Sequence, residues 1–271
     1  MKFKAWLQSA EALLREAGVG TARLDSLVLA EHVLNVDRAK LLAEPDFKIV
    51  AAKIRRLTNL LKRRVRHEPL AYILGQVEFY SRTFVVNEHV LVPRPESETM
   101  IDELKNLANL GTHPIIADIG TGSGALGITA KLELPEATVE LIDIDAKALK
   151  VAQSNVDIFT PGVNVLRSDL LASTKQDYDV LLCNLPYVPD DFHINTAATH
   201  EPSLAIYGGA DGLDCYRKLL NQISTGKHQP LYLLFESLPT QHTSLVSLAG
   251  LAGYESVTKH DFILVLKRTQ K

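Results

Sequence analysis

The 271-residue sequence predicts an α/β protein in two parts, a small helical bundle followed by a mostly parallel sheet with covering helices. Three observations predict it. Up to Gly75, apolar residues recur only at helical spacing. From Ile101 onward, short apolar runs that read as buried strands alternate with helical stretches. Between the two parts lies "EFYSRTFVVNEHVLVP", rich in the aromatic and β-branched residues that favour strands.

In the first part, Phe3, Leu7, Ala10, Leu13 and Leu14 share one helical face, and Gly18 and Gly20 end that helix. "LDSLVLAEHVL" repeats the pattern. "KIRRLTNLLKRRVRHE" sets Ile54, Leu57, Leu61 and Val65 on one stripe, with Lys and Arg elsewhere. Three or four short helices of this kind cover one another's stripes as a bundle. The next segment reads as a strand pair on either side of Asn87-Glu88, a hairpin linking two domains. The expected division is a helical domain over 1–75, a hairpin linker over 76–93 and an α/β domain over 94–271. In "PRPESE", prolines on both sides of Arg94 prevent regular pairing.

The second part reads in order as a strand in "PIIADIG", a helix in "GALGITAKLEL", a strand in "TVELIDID", a helix in "AKALKVAQSNVDIF", and strands in "VNVLRSD" and "YDVLLCN". A helix in "LDCYRKLLNQI", a strand in "PLYLLFES", a helix in "TSLVSLAGLA" and two closing strands in "ESVTKHDFILVLKR" complete it. No repeat or low-complexity tract is visible.

Composition narrows the function classes. Net charge is −3, unevenly spread. Residues 1–93 carry 15 basic and 10 acidic side chains, a net of +5; residues 94–271 carry 14 and 22, a net of −8. Strong whole-chain affinity for nucleic acid is not expected. No run of 18 apolar residues occurs, so no membrane-spanning helix is expected. The N-terminus reads as an amphipathic helix rather than a secretory signal. Cys183 and Cys215 lie outside any CxxC, which argues against disulfide or zinc frameworks and for a reducing cytoplasm. The nine histidines form no HExxH or paired spacing, so no metal is expected.

The chemistry-bearing motifs follow the strands. Asp118 and Ile119 lead into Gly120, Thr121, Gly122, Ser123 and Gly124, whose glycines permit a tight strand-to-helix turn and close approach of a ligand to the backbone. Such turns serve dinucleotides, S-adenosylmethionine or no ligand. The dinucleotide fingerprint wants a glycine at 125, where this chain has Ala. Asp143, closing the second strand, suits the two hydroxyls of a ribose, and Asp145 either joins it or caps the next helix. Asp169 ends the third strand on the same edge. Ligands of open α/β sheets bind at the carboxyl ends of the strands, where residues 120–124, Asp143, Asp169 and Asn184 converge.

The strand "YDVLLC" ends in Asn184-Leu185-Pro186-Tyr187. An amide nitrogen is a poor nucleophile because its lone pair is delocalised. Acceptors aimed at its N–H groups favour the pyramidal state in which positive charge builds on nitrogen. The side-chain oxygen of Asn184 and the carbonyl of Leu185 can be two such acceptors. Pro186 stiffens the turn, and Tyr187 offers a flat face to a planar group. The motif therefore reads as a clamp for a planar NH₂, against the alternative of a strand-exit turn with a packing tyrosine. Cys183 reads as a core residue rather than a nucleophile.

Taken together, "ARLDSLVLAEHVL", "EPLAYILGQVEFYSRTFVVNEHVLVPRPESE", "DIGTGSGALGI", "NLPYVP" and "HEPSLAIYGGADGLDCYRKLL" resemble the HemK/PrmC family of glutamine-N5 methyltransferases that modify peptide chain release factors. The likeness covers nearly the whole chain, and the interdomain segment is its most specific part. The resemblance implies a five-helix-like recognition domain joined by a hairpin to a Rossmann-like, seven-stranded class I methyltransferase domain. It implies S-adenosylmethionine contacts at Gly120, Thr121, Gly122, Ser123, Gly124, Asp143, Asp169, Leu170 and Asn184. It implies that Asn184, Leu185, Pro186 and Tyr187 hold the glutamine of a release factor's Gly-Gly-Gln loop. A monomer with a protein partner and no nucleic-acid or membrane partner is expected.

The chain departs from the family pattern in two places. Leu185 replaces the first proline of the Asn-Pro-Pro-Tyr motif, which keeps the carbonyl but loses the fixed φ. Glu236 and Gln241 resemble an E-x-G…Q pattern, yet Leu238 stands where glycine is expected, and "HDFILVLKR" lacks the usual Asp-Arg ending. The spelling "NLPY" is also that of rRNA adenine-N6 dimethyltransferases. Those enzymes carry their helical domain after the core, whereas here it comes first and the core is acidic. Both points favour a protein substrate, with a ribosomal-protein glutamine methyltransferase as the nearer rival.

Overall fold

Two sets of apolar faces close into separate units. The computed structural model describes residues 1–159, 162–226 and 228–269. One unit comprises Met1–Gly75 and Asn195–His200; the other comprises Gln76–Ile194 and Glu201–Lys271.

The first unit is built from helices α1 (Phe3–Glu16), α2 (Ala22–Leu34), α3 (Arg38–Ala43), α4 (Ala51–Val65) and α5 (Leu70–Leu74). Phe3, Leu7, Ala10 and Leu14 pack against Leu29, Ala30 and Val33 of α2 and Leu57 and Leu61 of α4. Leu13, expected on that face, is 48% exposed. Five helices stand where periodicity showed three or four, because α3 and α5 are too short to display a period. A buried ion pair, Arg64 to Asp25 at 2.6 Å, ties α4 to α2.

The second unit opens with a hairpin of β1 (Gln76–Phe79) and β2 (Arg82–Val85). Its turn is Tyr80-Ser81, with φ of +50° and +59°, the left-handed pair of a two-residue hairpin. The expected turn at Asn87-Glu88 is therefore misplaced by seven residues, and residues 86–92 form no strand. Tyr80-Ser81 lacks the glycine or asparagine that announces such a turn. Glu98 holds it instead, accepting from the Tyr80 N–H at 2.7 Å. Phe79 and Phe84, from opposite strands, meet edge to face and are buried.

After the hairpin come a short 3-10 turn, Pro95–Ser97, and then α6 (Glu98–Lys105), which the sequence reading did not assign. The alternation follows as read: β3 (Ile115–Ile119), α7 (Ala125–Glu133), β4 (Thr138–Asp143), α8 (Ala146–Phe159), β5 (Asn164–Arg167), β6 (Val180–Cys183), α9 (Asp214–Thr225), β7 (Tyr232–Glu236), α10 (His242–Leu251), β8 (Tyr254–His260) and β9 (Ile263–Arg268). The seven-stranded sheet has the order β5-β4-β3-β6-β7-β9-β8. The first five strands are parallel, and β9 and β8 close it antiparallel.

The strands are buried on both faces. Ile116, Leu182 and Leu234 enter one core layer, and Ala117, Leu181 and Leu233 the other. Strand order runs outward from β3 to β5, then returns to the other side of β3 with β6. Gly120 and Asn184 thus leave adjacent strands at the topological switch point, where open sheets hold their ligands.

Candidate active site

The glycine turn is fixed before any ligand is considered. Gly120, Gly122 and Gly124 have φ of +73°, +54° and +83°, which only glycine adopts at little cost. The N–H groups of Gly120 and Thr121 both donate to the Ile142 carbonyl, at 2.8 and 2.9 Å. Asp118 points inward: it accepts from Thr121 Oγ1 at 2.6 Å and from the Gly127 N–H at 2.8 Å. Burial pushes its pKa up to about 6, opposed by those two hydrogen bonds. Gly127, read in the sequence only as part of a helix, leaves no room for a side chain: a Cβ there would lie 2.2 Å from Leu141 Cδ2 and 2.8 Å from Asp118 Cβ. Asn155 of α8 donates to the Ser123 carbonyl and pairs with both backbone groups of Val85, fastening the hairpin to the turn.

Asp143 spans the turn. Its Oδ2 accepts from the Gly122 N–H and its Oδ1 from the Asp145 N–H, each at 2.9 Å. Burial is the main cause of its raised pKa. Asp145 in turn accepts from the Lys147 N–H at 2.8 Å, so it caps α8.

A cavity of about 290 Å³ opens over this turn. Gly120, Thr121, Gly122, Ser123, Asp143, Asp169, Leu170, Asn184, Leu185 and Pro186 all line it. Gly124 and Tyr187 do not. Gly124 instead makes room for Ile128 and Leu141, whose side chains a Cβ would meet at 3.0 and 3.2 Å. Asp169 pairs with Lys218 of α9, and Leu170 holds a left-handed φ of +54°.

The segment after β6 is held from several sides. Leu185, 3% exposed, lies over Gly120, with its Cδ2 3.0 Å from where a Cβ would stand. Tyr216 of α9 donates to the Glu236 carbonyl and lies 3.4 Å from that of Cys183, joining the ends of β7 and β6. Cβ atoms at Gly208 and Gly212 would come within 2.3 Å of the Pro186 carbonyl and 2.1 Å of the Tyr187 carbonyl. The Gly-Gly-Ala-Asp-Gly stretch is therefore glycine-rich because it passes against this backbone. Glu201 accepts from the Val92 N–H at 3.0 Å and pairs with Arg94, fixing the Pro-Arg-Pro approach. Burial pushes the Cys183 thiol well up, consistent with a core residue.

Two side chains that the sequence reading left without a site role complete the constellation. Asn184 Nδ2 donates to Ser97 Oγ at 3.1 Å. Tyr187 Oη donates to Glu236 Oε1 at 3.3 Å. Glu236, 1% exposed, has its pKa pushed up to about 7, chiefly by burial. Tyr187 is therefore tethered by its hydroxyl, and the Asn184 amide presents its oxygen on the side away from Ser97. No group of three or more His, Cys, Asp or Glu that could hold a metal occurs among the described residues.

Two family models match the chain: the PrmC N-terminal domain over residues 5–75, and the methyltransferase small domain over residues 96–201. The release factor glutamine methyltransferase of Coxiella burnetii is 34% identical over 252 residues, which cover 92% of this chain and 90% of that protein. The chain belongs to the release factor glutamine methyltransferase family. A longer relative is the bifunctional methyltransferase of Rickettsia typhi, 34% identical over 237 residues. The match covers 79% of this chain and 46% of that protein, so the chain spans about half the length of this relative. The catalytic domain of hMettl16 superposes with a TM-score of 0.56 at 14% identity, over 87% of this chain and 94% of that one. That likeness shows the class I methyltransferase fold, as the family resemblance implied.

Proposed function

We propose that this chain transfers a methyl group from S-adenosylmethionine to the side-chain amide nitrogen, N5, of the glutamine in the Gly-Gly-Gln loop of peptide chain release factors. One observation carries the reading: at the switch point, Asn184 borders the glycine-lined cavity with its amide nitrogen committed to Ser97 and its oxygen left as an acceptor. Membership of the family supports the substrate.

The cavity fits S-adenosylmethionine. Three backbone positions without a Cβ line or shape one wall, and Asp143, which accepts from the Gly122, Asp145 and Ile144 N–H groups, has acceptor capacity left for a ribose hydroxyl. Asp169 and Leu170 extend the same wall. When bound, the cofactor supplies an electrophilic methyl group. The remaining work belongs to the chain. Asn184 Oδ1 and the Leu185 carbonyl accept the two N–H groups of the glutamine and favour its pyramidal form. Tyr187, tethered to Glu236, flanks the amide plane. The alkylated amide is acidic enough to lose its proton to water.

On this reading the helical domain over 1–75 recognises the release factor, 76–93 links it to the core, and 94–271 carries the chemistry. The enzyme works as a cytoplasmic monomer without a nucleic-acid partner. Among the described residues no helix is long and apolar enough to cross a membrane.

The test is mass spectrometry of a release factor after incubation with enzyme and S-adenosylmethionine. The expected result is one added methyl on the loop glutamine, absent when that glutamine is changed to Ala. Methylation of a ribosomal protein or of rRNA, with the release factor untouched, overturns the reading.

A further inference from the structure

Ser97 is the last residue of the 3-10 turn that runs into α6, and its helical backbone angles (φ −68°, ψ −19°) leave its side chain out of helix capping. It is 2% exposed, and its oxygen accepts from Asn184 Nδ2.

Glu236, at the end of β7, breaks a general rule. Burying a carboxylate is costly unless a cation or several donors compensate. No ion pair to Glu236 occurs among the described residues, and its Oε2 makes no hydrogen bond. The groups against it are the Ser97 hydroxyl, the Tyr187 phenol and the Asn184 amide. A hydroxyl has one proton to give. Since Ser97 Oγ already accepts from Asn184, its own proton is left for the adjacent carboxylate.

We propose that Ser97 and Glu236 are positioning residues that set the polarity of the Asn184 amide. Glu236 takes the Ser97 proton, the Ser97 oxygen takes the Asn184 N–H, and the Asn184 oxygen is thereby the atom offered to a substrate NH₂. This rests on the glutamine reading above and deepens it. A side-chain amide is nearly symmetric in shape, so packing alone does not choose which end faces the substrate. A wrongly turned Asn184 would set a donor against the donors it must grip. Reversal follows from protonating Glu236: the acid then donates to Ser97, and the freed hydroxyl proton turns toward the asparagine.

Several elements set groups against Glu236. Glu96 of the 3-10 turn pushes its pKa up alongside burial, while Ser97, Tyr187 and Asn184 hold it down. Tyr216 of α9 donates to the backbone carbonyl of Glu236, and the Glu236 carboxylate adds to burial in raising the Tyr216 pKa. On β9 the residue opposite is Ile263. His242 of α10, its pKa lowered by burial, interacts with Lys259 rather than with this carboxylate. Arg94 acts on Tyr187. The reversal therefore falls near pH 7.

The experiment uses the full-length enzyme, S-adenosylmethionine and a release factor. Wild-type kcat is expected to fall as pH drops through about 7. Ser97→Ala is expected to lower kcat roughly 10–100-fold, with KM and cofactor Kd changed less than about threefold. Ser97→Thr, which keeps the hydroxyl, restores kcat to within about threefold of wild type. Glu236→Gln lowers kcat and removes the acid limb. In the free enzyme with ¹⁵N-labelled asparagine, the Asn184 NH₂ signals shift with pH near 7, and in Glu236→Gln they do not. Wild-type kcat in Ser97→Ala, equal loss in Ser97→Ala and Ser97→Thr, or a persisting acid limb in Glu236→Gln overturns the proposal. If the wild type leaves the glutamine unmodified, the substrate reading fails first. The NMR titration then still reports on the relay, and an Asn184 signal unmoved by pH removes it independently.

Discussion

Gln241 donates to the Tyr187 carbonyl at 2.8 Å, across a separation of 54 residues. The same NH₂ reaches the Asp211 carbonyl at 2.8 Å, and Oε1 accepts from the Leu238 N–H at 2.9 Å. One buried side chain thus joins the end of the Asn-Leu-Pro-Tyr segment to the glycine-rich stretch and to the start of α10. Gln241→Ala leaves three backbone groups without their partner. The expected loss of stability is about 2–3 kcal/mol, at about 1 kcal/mol for each hydrogen bond. Urea unfolding measures it. A loss below about 0.5 kcal/mol would mean that water replaces the side chain without cost.

Asn184→Ala removes one acceptor from the proposed amide clamp. Methyl transfer is expected to fall about 10²–10³-fold, the loss typical for one transition-state hydrogen-bonding group. Cofactor Kd is expected to rise by less than the loss in turnover, because the glycine turn and Asp143 remain while the Asn184 contact is lost. Single-turnover kinetics and calorimetry separate the two effects. Near-normal turnover with intact cofactor binding refutes the clamp.

Asp143 has a task in the fold and, on the proposed function, a second one toward the cofactor. It closes the glycine turn through the Gly122 and Asp145 N–H groups, and its spare lone pairs suit the ribose. Asp143→Ala is expected to raise the cofactor Kd at least about tenfold, equivalent to about 1.4 kcal/mol. Asp143→Asn keeps one acceptor oxygen but sets an NH₂ against a backbone N–H, so it should bind cofactor nearly as poorly. Isothermal calorimetry reads both. An unchanged Kd for either variant counts against the assignment.

The parts of the molecule that sequence made legible share a physical basis. The strands of the large sheet are continuous apolar runs because both faces are covered, and the glycine turn declares itself through residues that only a left-handed turn requires. Helix α6 was not legible: Met100, Ile101 and Leu104 give under two turns of pattern. The hairpin turn was misplaced because Tyr80-Ser81 pays for its positive φ through Glu98, 18 residues away. The site shows the same division. Asn184 and Gly120 speak through local motifs, whereas Ser97, Gln241 and Asn155 take their meaning from partners 87, 54 and 70 residues distant. A lone polar residue carries no sign of a remote partner.

Two buried carboxyls shape the pH dependence of stability. Burial lifts Asp118 to about 6 and Glu236 to about 7. With folded-state values above the unfolded ones, the folded chain holds extra protons between about pH 4 and 7. The stability linked to those protons is complete below the ordinary carboxylate range and is lost as pH rises through about 6 and then about 7. Each group contributes a slope of up to about 1.4 kcal/mol per pH unit within its window. The unfolding free energy of Glu236→Gln is therefore expected to fall less steeply than that of wild type between about pH 5 and 7. Urea titrations across that range compare the two, and identical slopes would show that Glu236 ionises in the folded chain as it does in the unfolded one.

Leu185 stands where the family motif has proline, and the structure gives the substitution a role. Its side chain is buried over Gly120, and its N–H faces the Tyr216 phenol oxygen. Proline would shorten the side chain and remove that N–H while leaving the carbonyl that the clamp uses. Leu185→Pro is expected to cost about 1–3 kcal/mol of stability, from lost burial and one lost hydrogen bond. Turnover should stay within about tenfold of wild type, because the proposed clamp uses the carbonyl rather than the side chain. Leu185→Ala separates the terms: it keeps the N–H, opens a cavity worth about 2–4 kcal/mol, and should likewise spare turnover at a temperature where the variant remains folded. If Leu185→Pro lost as much turnover as Asn184→Ala while folded and binding cofactor, the side chain and not the carbonyl of residue 185 would be the group that meets the substrate.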